Sequence, residues 1–287
     1  MSEKHIDELS GVDTTGHEWD GIRELNNPLP RWWVWTFYAT ILWALAYTIA
    51  YPAWPMLTSA TKGVLGYSSR VEIKNELAAA QAAKGDYAAA IASKPIDEIL
   101  ADEKLRLFAT SAGAAAFKVN CVQCHGSGAA GSAGYPNLND DDWLWGGKPE
   151  DILTTISHGI RFTADDATRF SEMPAFADAL DKEQIAAAAA YVVSLSGTPS
   201  NPALVEPGKT VFADNCASCH GEDAKGMRDL GAPNLTDAIW LRGKDEAAIA
   251  AQIAAPKHGI MPAWAGRLGE ATVKELTVYV HSLGGGE

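Results

Sequence analysis

Two short segments, CVQCH at 121–125 and CASCH at 216–220, hold all four cysteines of the chain. In each, two residues separate the cysteines and a histidine follows at once, which is the attachment signal for c-type haem. On one helical turn, Cys121 and Cys124 can add to the two vinyl groups of a single porphyrin, as can Cys216 and Cys219. His125 and His220 then reach the iron from one face. A zinc site or a redox dithiol is the competing reading. A four-ligand zinc site needs two further Cys or His per copy at tight spacing, and only His158 and His258 of the SHGI and KHGI segments are available. The repetition of the whole pattern favours haem, and no cysteine is left over for a disulfide framework.

A haem c that shuttles electrons without binding gas needs a sixth ligand, and a Met thioether opposite His raises the reduction potential. Met173 in EMPAF and Met261 in IMPAW stand at matching places, each followed by a proline, whereas Met227 has no counterpart in the first copy. The alternative is that both are core methionines and that His158 and His258 complete bis-histidine sites. Which haem each methionine serves stays open, because an exchange across the domain interface leaves the same sequence pattern. Pro136, Asn137 and Trp143 recur as Pro233, Asn234 and Trp240. A proline carbonyl there can accept the Nδ1–H of the iron-binding histidine and orient its ring. The tryptophans suit either a haem edge or propionate, or plain core. Arg161, Arg242 and Lys244 are candidates for propionate partners, though surface charge is the simpler reading of each. No nucleophile–base pair, phosphate loop or catalytic carboxylate pair stands out, so the chemistry expected is one-electron transfer.

These motifs lie in an internal repeat. FKVNCVQCHG, YPNL, SHGI, EMPAF and AAYVVSLSG recur in order as FADNCASCHG, APNL, KHGI, IMPAW and TVYVHSLGG. The first copy carries twelve additional residues, Arg161 to Glu172, between its HGI and its MP. Each copy opens on a helix with an aromatic (Phe117, Phe212) four residues before the first cysteine. Each closes on a helix, 181–196 with Tyr191 and 270–283 with Tyr279, ended by Gly197 or Gly284. Nothing between them alternates like a strand. The predicted fold is mainly α, with domains at 102–198 and 199–287.

From Trp32 to Thr61 no residue is charged, and the first twenty positions of that run are mostly apolar, enough for one bilayer-spanning helix. Trp32, Trp33 and Trp35 at one end and Tyr47, Tyr51 and Trp54 at the other form aromatic belts. The thirty residues before the span lack the short basic start of a signal peptide, and no small-residue cleavage site follows it. The expectation is therefore a leader over 1–30, an uncleaved anchor over 31–57 and a helical connector over 58–101, interrupted at Gly85 and ended by Pro95. Lys4, Arg23 and Arg31 stand among seven acidic residues of the leader, so charge gives no orientation. Covalent attachment of haem c takes place on the periplasmic side of bacterial membranes, which puts the repeats outside and the leader in the cytoplasm. The net charge of −13 argues against nucleic acid and suits a basic partner.

The repeat resembles a tandem pair of class I cytochrome c domains over about residues 103–285. The leader sharpens this: HEWDGIRELNNPLPRWW, one span and two cytochrome c domains are together similar to the CcoP (FixP) subunits of cbb3-type haem–copper oxidases. That resemblance implies two covalently bound haem c groups, with His125, Met173, His220 and Met261 as axial ligands. It implies electron transfer from a soluble or membrane cytochrome c donor, by way of a mono-haem cytochrome c subunit, to the haem–copper catalytic subunit that reduces oxygen to water. No oxygen-reducing centre is expected in this chain. It also implies a single-pass protein of the bacterial inner membrane, with the bilayer as a further partner and the leader as a cytoplasmic docking segment. A free-standing membrane-anchored dihaem carrier is the alternative. A dihaem peroxidase or gas sensor would require one iron without a methionine.

Overall fold

A computed structural model describes residues 5–286, which form two compact units, 5–82 and 83–286. Lys4 of the leader and Glu287 at the end of the expected second domain lie outside the described residues.

The leader is more ordered than its polarity suggests. Strands β1 (Thr14–Trp19) and β2 (Ile22–Leu25) pair antiparallel, with Trp19 opposite Ile22 and Glu18 opposite Arg23. Asp20 and Gly21, at φ 50° and 84°, form the two-residue turn. An Asp-Gly pair tolerates this left-handed backbone and matches the twist of a hairpin. The Arg23 Nε–H donates to Glu18 Oε2 at 2.7 Å across the pair. Asn26 N–H then reaches back to the Asp13 carbonyl, so the NNPLP segment leaves from a fixed point.

Helix α1 (Arg31–Ala50) starts after Pro30 and buries none of its residues within the protein. Its 20 residues span about 30 Å, the thickness of a bilayer's hydrocarbon. It is long and apolar enough to cross a membrane. Its three threonines return their hydroxyls to the carbonyls of Trp32, Phe37 and Leu45. The helix stops at Ala50, so 51–57, expected within the anchor, is loop.

Helix α2 (Ser69–Ser93) runs unbroken through Gly85, because strong helix formers on both sides outweigh the ~1 kcal/mol a glycine costs there. After Pro95 come α3 (Ile96–Ala101) and α4 (Glu103–Asn120), the latter capped by the Asp102 carboxylate on the N–H groups of Lys104 and Leu105. The connector is not a passive spacer to residue 101. Ile91, Ile96 and Ile99 are buried with Leu105, Ala109 and Val278, and the Lys274 ammonium caps the carbonyls of Ala92 and Lys94.

The remaining elements are α5 (Val122–His125), α6 (Pro149–His158), α7 (Lys182–Ser194), α8 (Val205–Asn215), α9 (Ala217–His220), α10 (Glu246–Ala254) and α11 (Ala265–His281). Gly269 breaks α11 at φ 78°, so its regular stretch begins near Glu270, where the sequence places it. Asp181 and Gln184 form a reciprocal capping box on α7, and Asp245 caps α10.

The packing of these helices crosses the repeats. The first repeat's opening helix α4 lies against α11, the second repeat's closing helix, while α8 of the second lies against α7 of the first. Likewise α6 packs on α11 and α10 on α7. The contiguous domains 102–198 and 199–287 therefore do not describe the packing. One body is 103–160 completed by 261–286. The other, 173–258, is continuous and begins with its methionine segment and closing helix. Both copies carry the same glycine, phenylalanine and tyrosine at the helix crossing, so these three residues do not by themselves select the partner. At the crossings Phe117 and Phe212 are 1% and 2% exposed; burial of one such ring is worth about 3 kcal/mol.

Candidate functional site

Each CxxCH sits on a single turn, α5 or α9, that follows its opening helix through a cysteine in helical conformation. The turn ends at Gly126 or Gly221, at φ 77° and 81°, a backbone that only glycine adopts without strain. The chain then loops back, with Gly131 N–H on the His125 carbonyl and Gly226 N–H on the His220 carbonyl. A Cβ on Gly131 would meet the backbone of Tyr135 and Pro136, and one on Gly226 that of Ala232 and Pro233. This closeness brings each proline carbonyl beneath the histidine.

His125 Nδ1–H donates to the Pro136 carbonyl at 3.1 Å and His220 Nδ1–H to the Pro233 carbonyl at 3.2 Å. That bond fixes the tautomer and leaves Nε2 free as a ligand, as the sequence pattern suggests. Burial lowers both histidine pKa values, with the proline carbonyl opposing it, so the imidazoles are neutral, the form that binds a metal. Cys121 and Cys216 are partly buried, and burial pushes each thiol up to about 11, with the neighbouring Cys124 and Cys219 adding to the shift. A nucleophilic dithiol requires the opposite shift.

The methionines divide by body and not by repeat. Met173 packs with Tyr191, Phe212, Cys216, Leu235 and Trp240, around the second CxxCH. Met261 packs with Phe117, Cys121, Trp143, Trp264 and Tyr279, around the first. Backbone bonds hold the exchange in place. Phe176 N–H, of EMPAF, donates to Ile253 of α10, and Trp264 N–H, of IMPAW, to Ile156 of α6, both at 3.1 Å. Ile160 and Met261 exchange two hydrogen bonds as an antiparallel bridge. Beside them Gly159, at φ 71°, leaves no room for a Cβ against the Met261 carbonyl.

A cavity of about 500 Å³ is lined by Cys216, Cys219, His220, Met173, Pro233 and Trp240, with apolar walls from Phe176, Ile249 and Ile253 and the cations Arg161 and Arg242. These residues fit a porphyrin: two thiols, a neutral imidazole and a thioether for attachment and ligation, apolar faces, and positive charge for carboxylates. Arg161 is more than surface charge. It is half-buried and donates from Nε to Gly259 O (2.7 Å) and from Nη1 to Ser171 O (2.9 Å).

The remaining candidates have other partners. His158 pairs with Asp165 at 3.1 Å, and the His258 ring donates from Nε2 to the Met173 carbonyl at 3.1 Å. Trp143 gives its N–H to the Gly285 carbonyl and Trp240 to the Asp237 carbonyl. Met227 is exposed and is not among the residues packed on either cluster. The twelve-residue segment 161–172 folds back on the first body, with Arg169 bonded to Asp151 and lying over Trp145. It is the stretch in which the chain passes from one body to the other. Two features escape the sequence reading. One is the leader hairpin, whose signal is the Asp20-Gly21 pair between alternating residues. The other is Asp142, which lines the cavity and whose carboxyl is pushed up to about 6 by burial and by Asp237, Asp140 and Asp141.

Known proteins match this chain along its whole length. Residues 11–58 match the N-terminal domain of cytochrome oxidase-cbb3, FixP, and residues 108–192 and 203–280 match cytochrome c oxidase, cbb3-type, subunit III. The chain is 67% identical over 284 residues to the cbb3-type cytochrome c oxidase subunit FixP of Rhizobium meliloti, covering 99% of this chain and 98% of that protein. It is 65% identical to subunit FixPc of Rhizobium leguminosarum, covering the whole of both chains, and 54% identical to subunit CcoP of Cereibacter sphaeroides, covering 96% and 95%. A leader hairpin, one apolar helix and two CxxCH sites in a helical repeat thus occur in one chain whose full length is matched, and this chain belongs to the FixP/CcoP family of cbb3-type cytochrome c oxidase subunits.

Proposed function

We propose that this subunit holds two haem c groups, takes electrons from a soluble or membrane-bound cytochrome c, and delivers them by way of a mono-haem cytochrome c subunit to the haem–copper catalytic subunit of the oxidase. Haem c, when bound, supplies a one-electron ferric–ferrous couple. Cys121 and Cys124 hold the first group and Cys216 and Cys219 the second. His125 and Met261 would bind the iron of the first, and His220 and Met173 that of the second. Pro136 and Pro233 orient the histidines, and the aromatic clusters around each methionine would keep water from the iron. Arg161 and Arg242 would supply positive charge for the carboxylates of the second group. The anchor crosses the inner membrane with the leader in the cytoplasm and the haem-binding bodies in the periplasm, where haem c is attached. The acidic surface attracts a basic donor cytochrome and speeds encounter more than it tightens binding.

The observation that carries this reading is that leader, anchor and both CxxCH bodies are matched together by oxidase subunits at 67% identity. Purification of the chain from membranes in mild detergent tests it. Companion chains bearing haem b and copper, with oxygen uptake on reduced cytochrome c, are expected. Recovery of the chain alone, both haems intact, would overturn the oxidase assignment in favour of a free-standing carrier.

A further inference from the structure

The segment after the anchor helix has a structure that neither electron transfer nor tethering requires. A helix leaves its last four carbonyls without partners. Here the chain turns at Pro52, runs out and comes back, so that Val64 N–H bonds the Ile49 carbonyl (2.9 Å) and Leu65 N–H the Ala50 carbonyl (3.1 Å). Tyr51 N–H bonds the Tyr47 carbonyl. The returning strand fits because Gly63, at φ 69°, packs directly on the backbone of Ala50 and Tyr51. The Tyr51 ring stacks on Tyr47 at 4.7 Å and meets Tyr67 edge to face at 5.5 Å. Within the loop, Thr61 Oγ1 accepts from the N–H groups of Ala53 and Trp54, Thr61 N–H bonds Trp54 O, and Met56 N–H bonds Ser59 O.

The large apolar side chains of this loop face outward. Trp54, Met56, Leu57, Val64, Leu65 and Tyr67 are all exposed, Leu57 completely. The only charge between residues 51 and 68 is Lys62. A loop that faces water carries polar side chains at such positions. Exposed aromatic and aliphatic side chains on a loop pinned to the end of a membrane-length helix suit the edge of a bilayer. The position sets the depth, because a helix of about 30 Å ends where hydrocarbon gives way to headgroups. Trp and Tyr interleaved with aliphatic residues and a single lysine are the side chains of that zone.

We infer that residues 51–67 form a clasp lying in the membrane interface at the exit of the anchor, with the phospholipid headgroup–acyl boundary as its partner. This fixes the depth of α1 and the point at which α2 leaves the surface. It rests on α1 crossing the bilayer and not on the identity of the electron acceptor.

Nitroxide labels at L57C and V64C test it, in the full-length haem-loaded chain, whose own cysteines are held in thioether bonds. The chain is studied in nanodiscs of phosphatidylethanolamine and phosphatidylglycerol and in the assembled oxidase, with exposed Asp178 labelled as D178C for reference. The expected result is an oxygen-to-nickel-chelate collision ratio several-fold above that of D178C at both sites and in both settings. A ratio equal to that of D178C would place the loop in water and overturn the inference. Low collision with both reagents and a strongly immobilised spectrum in the oxidase would show that a protein covers it, which also overturns it. Failure to enter nanodiscs would remove the anchor and the clasp together. Should no oxidase assemble, the nanodisc result decides alone.

Discussion

Ile160 and Met261 exchange both backbone hydrogen bonds, at 2.9 and 3.0 Å, although 101 positions separate them and they belong to different repeats. This bridge holds the second repeat's methionine over the first repeat's CxxCH. On the other body His258 holds the Met173 carbonyl in the corresponding exchange. The two bodies are thus tied to each other by the chain itself, and the first cannot be completed until the last helix has been made.

Ligand exchange gives a direct prediction. With the second attachment pair removed (C216A and C219A), M261L should abolish the methionine–iron charge-transfer band of the remaining haem, and M173L should leave it. With C121A and C124A the pattern should reverse. Optical spectra of the four combinations check this, and unchanged spectra throughout would mean that neither methionine is a ligand.

The helix crossings should fail separately. A Cβ on Gly113 would meet the Glu275 carbonyl and the Tyr279 side chain, and one on Gly208 the Ala187 carbonyl and Tyr191. Since backbone blocks the space, Gly113→Val and Gly208→Val should each cost about 3 kcal/mol or more. Haem content and thermal melts should show loss confined to the first site for Gly113→Val and to the second for Gly208→Val.

Arg161→Leu leaves the carbonyls of Gly259 and Ser171 without their charged donor, at a cost of about 1–3 kcal/mol. It also removes a positive charge from the second cavity, which favours the ferric state. Redox titration should show that haem's potential falling by tens of millivolts, the equivalent of about 1 kcal/mol for one electron.

Asp142 gives a pH dependence of known sign. Its carboxyl is raised from 3.8 to about 6 by burial and the neighbouring Asp237, Asp140 and Asp141. The native state therefore holds this proton to higher pH than the unfolded chain. Its contribution to stability is full below pH 3.8 and is lost as pH rises through about 6. Asp142→Asn should flatten that slope and raise the melting temperature at pH 7, measured by thermal unfolding across the pH range.

Gly21→Val places a β-branched residue at φ 84° and should dissolve the leader hairpin. Both haems should remain, because the hairpin lies outside the haem-binding unit. Recovery with the catalytic subunit should fall, as it should for Trp19→Ala, and pull-down stoichiometry measures it. Full recovery with both variants would mean the hairpin is not a docking element.

Local chemistry was legible throughout. The CxxCH spacing, the proline beneath each histidine, the closing helices and the apolar span depend on residues near one another in sequence, where side-chain type and helical geometry decide. The Asp20-Gly21 hairpin was equally local, and its turn signal was available. Gly85 did not interrupt its helix because propensity is a sum over neighbours. The crossing was different in kind. Gly113, Phe117 and Tyr279 meet as Gly208, Phe212 and Tyr191 do, and each repeat carries a full set, so these residues do not by themselves select the pairing. The amino-acid sequence by itself determined an apolar span of membrane length followed by a mainly helical repeat with one CxxCH in each copy. Only the tertiary structure decided which methionine completes which body, because that choice rests on contacts such as Ile160 with Met261, whose partners the repeat makes interchangeable until the chain between them is laid down.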